Sequence, residues 1–146
     1  MSGIYLVDAN VLSEIWKPQP ARAVLDWFSR SDWFLPVPVI AEIQAGAESA
    51  RSPARKAAIN GRLDAFLNQY PLAVVDWDAE TSRTWGRLAF SPAVRREPQS
   101  LWDSLIDAMG VRWSATVATR NAVDFRHAKT FDPWTVSKDP PVQPSS

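Results

Sequence analysis

The sequence predicts an α/β fold with a central parallel sheet, and two observations lead to this prediction. Short apolar runs alternate with longer segments of helical periodicity, which is the order expected of parallel strands joined by helical crossovers. The first run, Ile4 to Val7, is uninterrupted by polar residues, as is typical of a strand covered on both faces. With 146 residues, we expect one domain with a substantial hydrophobic core.

Proline positions, apolar runs and helical periodicity assign the remaining elements. Pro18 and Pro20 predict that the second helix begins close after them, since proline is favoured in a first helical turn. The clearest helix is 53–70, where Ile59, Leu63 and Phe66 share one face. The predicted strands are 4–7, 33–39, 72–75 and 115–119, and the predicted helices begin near residue 11 and cover 21–28, 40–47, 53–70, 78–91 and 101–113. Residues 137–146, rich in Pro and Ser, are predicted to be a disordered tail, which leaves 1–136 as the folded domain.

Composition excludes several classes of function. The chain has no cysteine, which excludes disulfides, thiolate zinc sites and a cysteine nucleophile. It has one histidine, His127, so acid/base catalysis by a histidine pair within one subunit is excluded. Its 16 basic and 16 acidic residues argue against a nucleic-acid coat, but an enzyme with a local basic rim remains possible. No secretory signal or membrane-spanning apolar run is present, so we expect a cytoplasmic protein.

Side chains with oxygen ligands follow the carboxyl ends of the predicted strands. Asp8 follows the first strand, Glu42 the second, and Asn121 and Asp124 the last, while Asp103 lies in the first turn of a late helix. Because the carboxyl ends of parallel strands share one edge of a sheet, we expect these side chains to converge. Converging acids repel one another unless a cation is bound, and oxygen ligands suit Mg²⁺ or Mn²⁺. The pattern predicts a metal-dependent site for phosphoryl transfer.

Each of these residues also has a purely structural explanation. Asp8 or Asn10 can cap the helix that follows the first strand, with Asn10 the better candidate. Glu42 can be an exposed helical residue. Asp103 completes an S-x-x-D capping box, and Asp124 can be a turn residue. Taken singly, the residues leave both explanations open.

Four blocks of sequence, taken in order, carry a family resemblance. They are LVDANVLSE at 6–14, AEIQAG at 41–46, DSLIDA at 103–108 and ATRNAVDF at 118–125. In this order they resemble PIN-domain ribonucleases of the VapC toxin type, in the FitB-like branch. The segment FDPW at 131–134 is similar to the asparagine–proline–tryptophan ending of that branch.

The resemblance implies a three-layer α/β/α PIN-like domain and a function. Members of the family are Mg²⁺- or Mn²⁺-dependent endoribonucleases that a cognate antitoxin protein holds in check, and they form homodimers. The resemblance places metal ligands at Asp8 and Asp103, the third acid at Glu42, and the fourth position at Asn121. Asn121 keeps an oxygen but no charge, which puts a second metal in doubt.

Two neighbouring positions extend the predicted site. Asp107 stands one helical turn after Asp103, where relatives usually carry a small residue. It either faces the same pocket, or it is an exposed residue or the partner of a nearby arginine. Arg120, with Thr119 and Asn121, either contacts substrate phosphate or neutralises the acids. Asn10 and Arg120 are candidate substrate-binding residues, and Asp107 and Asp124 are possible additional ligands.

Basic residues and apolar helix faces suggest where partners bind. Arg51, Arg55, Lys56 and Arg62 form a run without an intervening acid, so they are candidates for RNA contact as well as for an ordinary solvated face. The apolar faces of the early helices and of 53–70 permit helix-in-groove binding. The resemblance assigns that groove to the antitoxin.

Two other functions share some of these sequence features with the nuclease. A phosphohydrolase of the haloacid-dehalogenase type needs a second Asp where this chain has Asn10, and a well-placed lysine, whereas Lys129 and Lys138 come late. A catalytically weak PIN-like module that binds RNA or a partner is the alternative, and the uncharged Asn121 favours it. A mere binding module has no need of three converging acids.

Overall fold

A computed structural model describes residues 3–135, and within them five strands form one parallel sheet. The strands are β1 (Tyr5–Val7), β2 (Trp33–Pro36), β3 (Val74–Val75), β4 (Thr116–Ala118) and β5 (Thr130–Phe131). Their order in the sheet is β3-β2-β1-β4-β5. The chain thus winds from β1 to one edge and then crosses back, so the carboxyl ends of β1 and β4 flank the point where strand order reverses. Ligands of open α/β sheets bind at such a point.

Helices connect the strands and pack on the sheet. They are α1 (Ala9–Ile15), α2 (Arg22–Arg30), α3 (Val37–Glu48), α4 (Pro53–Gln69), α5 (Ala79–Ala89), α6 (Pro92–Arg96) and α7 (Leu101–Arg112), with 3₁₀ turns at Pro71–Ala73 and Ala122–Asp124. Helix α5 packs on α7, α3 packs on α4 and α7, and α1 packs on α2 and α3. Among the described residues, no helix is long and apolar enough to cross a membrane.

The hydrophobic core lies on both faces of the sheet. Val7 belongs to a large cluster with Leu35 and Val117, whereas the preceding residue, Leu6, belongs to a second cluster with Met109. Neighbouring residues of a strand point to opposite faces, so β1 is covered on both sides. The three-layer α/β/α fold predicted from the sequence is confirmed.

The boundaries of several elements differ from the prediction. Strand β2 ends at Pro36, and α3 begins at Val37 with a proline in its first turn, because proline is tolerated there; the predicted strand ran to residue 39. Strands β3 and β5 have two residues each, and β5 and the five-residue α6 were not predicted, because periodicity cannot be recognised in so few residues. The predicted tail, 137–146, lies outside the described residues.

Candidate active site

Asp8 stands where β1 meets α1. Its backbone is extended, and its Oδ1 accepts a hydrogen bond from the Ala9 amide at 2.8 Å, so Asp8 is the N-cap of α1. Its Oδ2 accepts a hydrogen bond from the Thr119 hydroxyl at 2.8 Å. Asp8 is only 5% exposed; burial raises its pKa, and the hydrogen bonds from Thr119 and Ala9 partly oppose this, while Asp103 and Asp124 add to it. The carboxylate is thereby fixed in orientation and held in a poorly hydrated position.

Asn10 and Thr119 complete the hydrogen bonds around Asp8. The Asn10 amide donates to Asp8 Oδ2 at 3.3 Å and to the Thr119 hydroxyl at 3.2 Å, and its Oδ1 accepts from the Arg120 backbone at 3.4 Å. The prediction that Asn10 caps the helix was wrong, because α1 already begins at Ala9. Thr119 is fully buried. Its hydroxyl also accepts a hydrogen bond from the Asn121 backbone amide at 3.0 Å, so one side chain links the residues that follow β1 to those that follow β4.

Glu42, in α3, carries an unsatisfied buried atom. Within residues 3–135, its Oε2 is buried and has no hydrogen-bond partner. Burial, followed by the charges of Asp8 and Asp103, raises the pKa of Glu42 to about 7. A buried acceptor without a partner costs free energy, so this oxygen is suited to a proton or a cation.

Asp103 lies in the first turn of α7 and is held by Ser100. The Ser100 hydroxyl donates to Asp103 Oδ2 at 2.8 Å and accepts from the Asp103 amide at 3.1 Å, so the predicted capping interaction is present. Burial raises the pKa of Asp103, the hydrogen bond from Ser100 opposes this, Asp124 raises it further, and Arg126 lowers it. Capping fixes this carboxylate in place without preventing it from taking part in a site.

The carboxylates of Asp8, Glu42 and Asp103 share one electrostatic environment. Asp8 and Asp103 both raise the pKa of Glu42 after burial, and Asp103 adds to the effect of burial on Asp8. In the part of the chain that is described, however, no three acidic or histidine side chains are close enough together to hold a metal ion. The acids therefore converge on one region without forming a closed coordination sphere.

Asn121 and Asp124 lie at the rim of this region. Asn121 is exposed and immediately precedes the 3₁₀ turn that ends at Asp124. Burial raises the pKa of Asp8 and of Asp103, and the charge of Asp124 raises both further. The backbone carbonyl of Asp124 accepts a hydrogen bond from Gln99 at 3.0 Å. Gln99 was not a predicted site residue, since no local pattern marks a glutamine that hydrogen-bonds to both a helix and a distant turn.

Asp107 is buried and its carboxylate oxygens are occupied by donors outside the acidic site, although its charge adds to the raised pKa of Asp103. Its side chain is 1% exposed and accepts hydrogen bonds from the His127 ring at 2.8 Å, the His127 amide at 3.2 Å and the Ala128 amide at 2.8 Å. Gln99 also donates to it, at 3.4 Å. Asp107 therefore ties α7 to the segment before β5 rather than replacing the charge missing at Asn121.

A groove with a volume of about 510 Å³ adjoins Glu42, between α1, α3 and α4. Trp16 and Ile59 contribute apolar surface, and Arg55 and Arg62 line it from α4. Lys17 also lines the groove, but its ammonium is paired with Glu14 at 2.9 Å. The groove thus combines an apolar surface with cationic side chains and ends at an acidic one.

Comparison with known proteins gives consistent matches along the chain. The sequence pattern of the PIN domain family matches residues 5–129. The VapC ribonuclease Y4jK of Sinorhizobium fredii is 28% identical over 135 residues, covering 88% of this chain and 96% of the relative. The toxin FitB of Neisseria gonorrhoeae is 26% identical over 135 residues, covering 88% and 97%.

Solved structures match the fold over the same extent. The structure of FitAcB from Neisseria gonorrhoeae superposes with a TM-score of 0.75 at 24% identity, covering 90% of this chain and 99% of that chain. VapBC2 from Rickettsia felis, bound to a DNA fragment from its promoter, gives a TM-score of 0.68 at 19% identity and covers 88% and 99%.

Proposed function

Because this chain belongs to the PIN domain family, we propose that it is a Mg²⁺- or Mn²⁺-dependent endoribonuclease that acts as the toxin of a toxin–antitoxin pair. The observation that carries the proposal is the buried Oε2 of Glu42, which has no hydrogen-bond partner in the described part of the chain and whose carboxylate is electrostatically coupled to Asp8 and Asp103. The relatives named as a ribonuclease and as a toxin support the same assignment.

The residues of the site fit a hard divalent cation. The donors are carboxylate and amide oxygens, which Mg²⁺ and Mn²⁺ prefer, and the open arrangement suits an ion that keeps several of its waters. We assign Asp8 and Asp103 as ligands, and Glu42 as the third acid. When bound, the ion lowers the pKa of a coordinated water and stabilises charge on the phosphate.

The protein's own side chains hold these groups ready for hydrolysis. Thr119 and the Ala9 amide fix the Asp8 carboxylate, and Ser100 fixes Asp103, so neither needs to be reoriented during the reaction. Glu42, whose buried Oε2 has no hydrogen-bond partner within residues 3–135, is the side chain available to orient or deprotonate the attacking water. Asn121 stands at the fourth position with an amide in place of a carboxylate and contacts the substrate as a neutral group.

We assign the groove beside Glu42 to the cognate antitoxin protein. Its apolar surface and cationic side chains suit an amphipathic segment, as in helix-in-groove recognition. The solved neighbours include a toxin–antitoxin complex and a member of a toxin–antitoxin family, which supports an antitoxin as the partner. A homodimer in the cytoplasm is the assembly that we propose for the active chain.

The alternative function is a PIN-like module that binds RNA or a partner with little or no cleavage. The observation in its favour is the fourth position, where exposed Asn121 offers no charge to a second ion. Metal binding without cleavage is the property that separates this alternative from the nuclease.

The test is cleavage of total RNA by the purified, antitoxin-free chain with Mg²⁺ or Mn²⁺, beside an EDTA control. Asp8→Asn, Asp103→Asn and Glu42→Gln are expected to abolish cleavage while remaining folded. Asp26→Asn, which removes an exposed carboxylate in α2, is the matched control and is expected to cleave like the wild type.

The outcomes distinguish the two functions. Discrete fragments that disappear with EDTA and in the three site variants support the nuclease. Intact RNA together with Mn²⁺ binding, measured by calorimetry, supports the binding module. A folded protein that neither binds Mn²⁺ nor cleaves RNA contradicts the metal site itself.

A further inference from the structure

Arg120 lies on the face of Trp134, at the carboxyl edge of the sheet. The guanidinium carbon is 5.0 Å from the centroid of the indole ring, within the range of a cation–π interaction. Trp134 is itself fixed, because its amide donates to Asp132 Oδ1 at 2.8 Å and its ring packs against the main core cluster. The indole thus provides a rigid platform that restricts a long, flexible side chain.

The backbone of Arg120 belongs to the acidic site. Arg120 directly follows Thr119, whose hydroxyl donates to Asp8, and the Arg120 amide donates to Asn10 Oδ1. The sheet order β2-β1-β4-β5 places Trp134, after β5, on one side of Asp8. Glu42 and its groove follow β2 on the other side. Arg120 and the groove arginines therefore flank the acidic centre from opposite directions.

The charge of Arg120 is not used to neutralise the acids. Among residues 3–135, no carboxylate oxygen lies within 4.0 Å of its guanidinium, whereas Arg112 and Arg126 are paired with Asp78 and Glu97. Arg120 is also exposed. The Arg120 backbone adjoins the acidic site, and its exposed guanidinium is oriented by Trp134 without a carboxylate partner among residues 3–135. It is therefore available to an anion from solution, and its planar fork matches phosphate.

We propose that Arg120, held by Trp134, binds a backbone phosphate of the RNA strand beside the scissile phosphate, and that Trp134 is the residue that positions it. This inference rests on the proposed ribonuclease function. It adds the direction of the strand, which leaves the acidic centre toward β4 and β5. The contact compensates the repulsion between the RNA and the carboxylates without reducing the negative charge that the metal ion needs.

The test compares Arg120→Gln with Arg83→Gln, a control that removes the same charge from an exposed position in α5. Cleavage of a single-stranded RNA oligonucleotide is measured with Mn²⁺ over a series of KCl concentrations. Arg120→Gln is expected to raise KM about 10-fold with little change in kcat, and to lower the slope of log KM against log salt by about 1. Mn²⁺ affinity is expected to stay unchanged, because Arg120 contacts no proposed ligand side chain.

Substitutions at Trp134 distinguish its role in positioning Arg120 from its role in stabilising the fold. Trp134→Leu removes the aromatic face and is expected to raise KM, whereas Trp134→Phe keeps an aromatic face and is expected to restore most of the affinity. Thermal unfolding of both variants identifies any loss that comes from the core. Arg120→Lys is expected to be intermediate, since an ammonium keeps the charge but not the planar fork.

Each result decides for or against the inference. If KM and the salt slope of Arg120→Gln match those of Arg83→Gln, or if only kcat falls, the inference is overturned while the ribonuclease function stands. If the wild type does not cleave RNA, the proposed function fails, and fluorescence anisotropy with labelled RNA tests the contact directly. Equal affinity of the wild type and Arg120→Gln, or no binding by either, then overturns the inference as well.

Discussion

Replacing Glu42 by glutamine is expected to stabilise the metal-free protein above neutral pH. Burial, with the charges of Asp8 and Asp103, raises the pKa of Glu42 from 4.5 to about 7. Ionising this residue is therefore harder in the folded than in the unfolded chain. The full shift corresponds to about 3 kcal/mol, which solvent around a partly buried carboxylate reduces to about 1–2 kcal/mol.

The sign of the effect fixes its dependence on pH. Below pH 4.5 the carboxyl group of Glu42 is protonated in both the folded and the unfolded chain. The folded wild type then carries no penalty for ionising this residue, so its full stability is present. As the pH rises from 4.5 to about 7, the unfolded chain releases the proton first, so the wild type loses this free energy of unfolding. Glu42→Gln does not titrate, so its advantage is expected to be absent near pH 4.5 and complete at pH 8.

Urea denaturation in EDTA at several pH values between 4.5 and 8 measures the difference. The control is Glu48→Gln, because the hydrogen bond from Lys56, at 2.6 Å, lowers the pKa of Glu48 and reverses the sign of its pH dependence. Added Mn²⁺ is expected to stabilise the wild type more than Glu42→Gln. The reasoning is refuted if Glu42→Gln and the wild type have the same pH dependence in EDTA.

Three further predictions concern packing and metal binding. Asp107→Ala is expected to lower the free energy of unfolding by about 2–4 kcal/mol, because it leaves the partly buried donors of His127 and Ala128 without their acceptor. Urea denaturation should show a smaller loss for Asp107→Asn, which keeps one acceptor oxygen, and an equal loss would contradict the role of Asp107 as a hydrogen-bond acceptor. Gly110→Ala places a Cβ 2.7 Å from the Ala128 Cβ and is expected to lower the free energy of unfolding by about 1–3 kcal/mol. Gly86→Ala, in open space within α5, is expected to raise it by about 0.5–1 kcal/mol. Similar urea midpoints for the two glycine variants would count against this packing. Mn²⁺ at about 100 times its Kd is expected to stabilise the protein by about 2.7 kcal/mol, seen as a rise in melting temperature that EDTA reverses; an unchanged melting temperature would argue against a metal site.

Much of the fold could be predicted because its signals are local. The apolar run before Asp8, the stripe of Ile59, Leu63 and Phe66, and the proline positions specify strands, helices and their starts without reference to distant residues. Strand β5 (Thr130–Phe131) escaped prediction because it has two residues. Its pairing with β4, and not its own pattern, makes it a strand.

The candidate site was also only partly predictable from the sequence. The positions of Asp8 and Glu42 after apolar runs indicate that they lie at one sheet edge. The direction of Asp107 could not be predicted, because its spacing from Asp103 fits the site as well as the core. Its carboxylate oxygens are occupied by donors of His127 and Ala128, which approach from another segment.

The sequence by itself determined the class of fold, the edge on which the acids lie and the exclusion of cysteine and histidine-pair chemistry. These properties follow from composition and from patterns that repeat within a few residues. Only the tertiary structure decided that Thr119 orients Asp8 across 111 positions of sequence, that Glu42 Oε2 has no hydrogen-bond partner within residues 3–135, and that Arg120 lies on Trp134. Hydrogen bonding, burial and charge coupling depend on distance in space, and the strand order that sets those distances is the outcome of packing the whole chain at once.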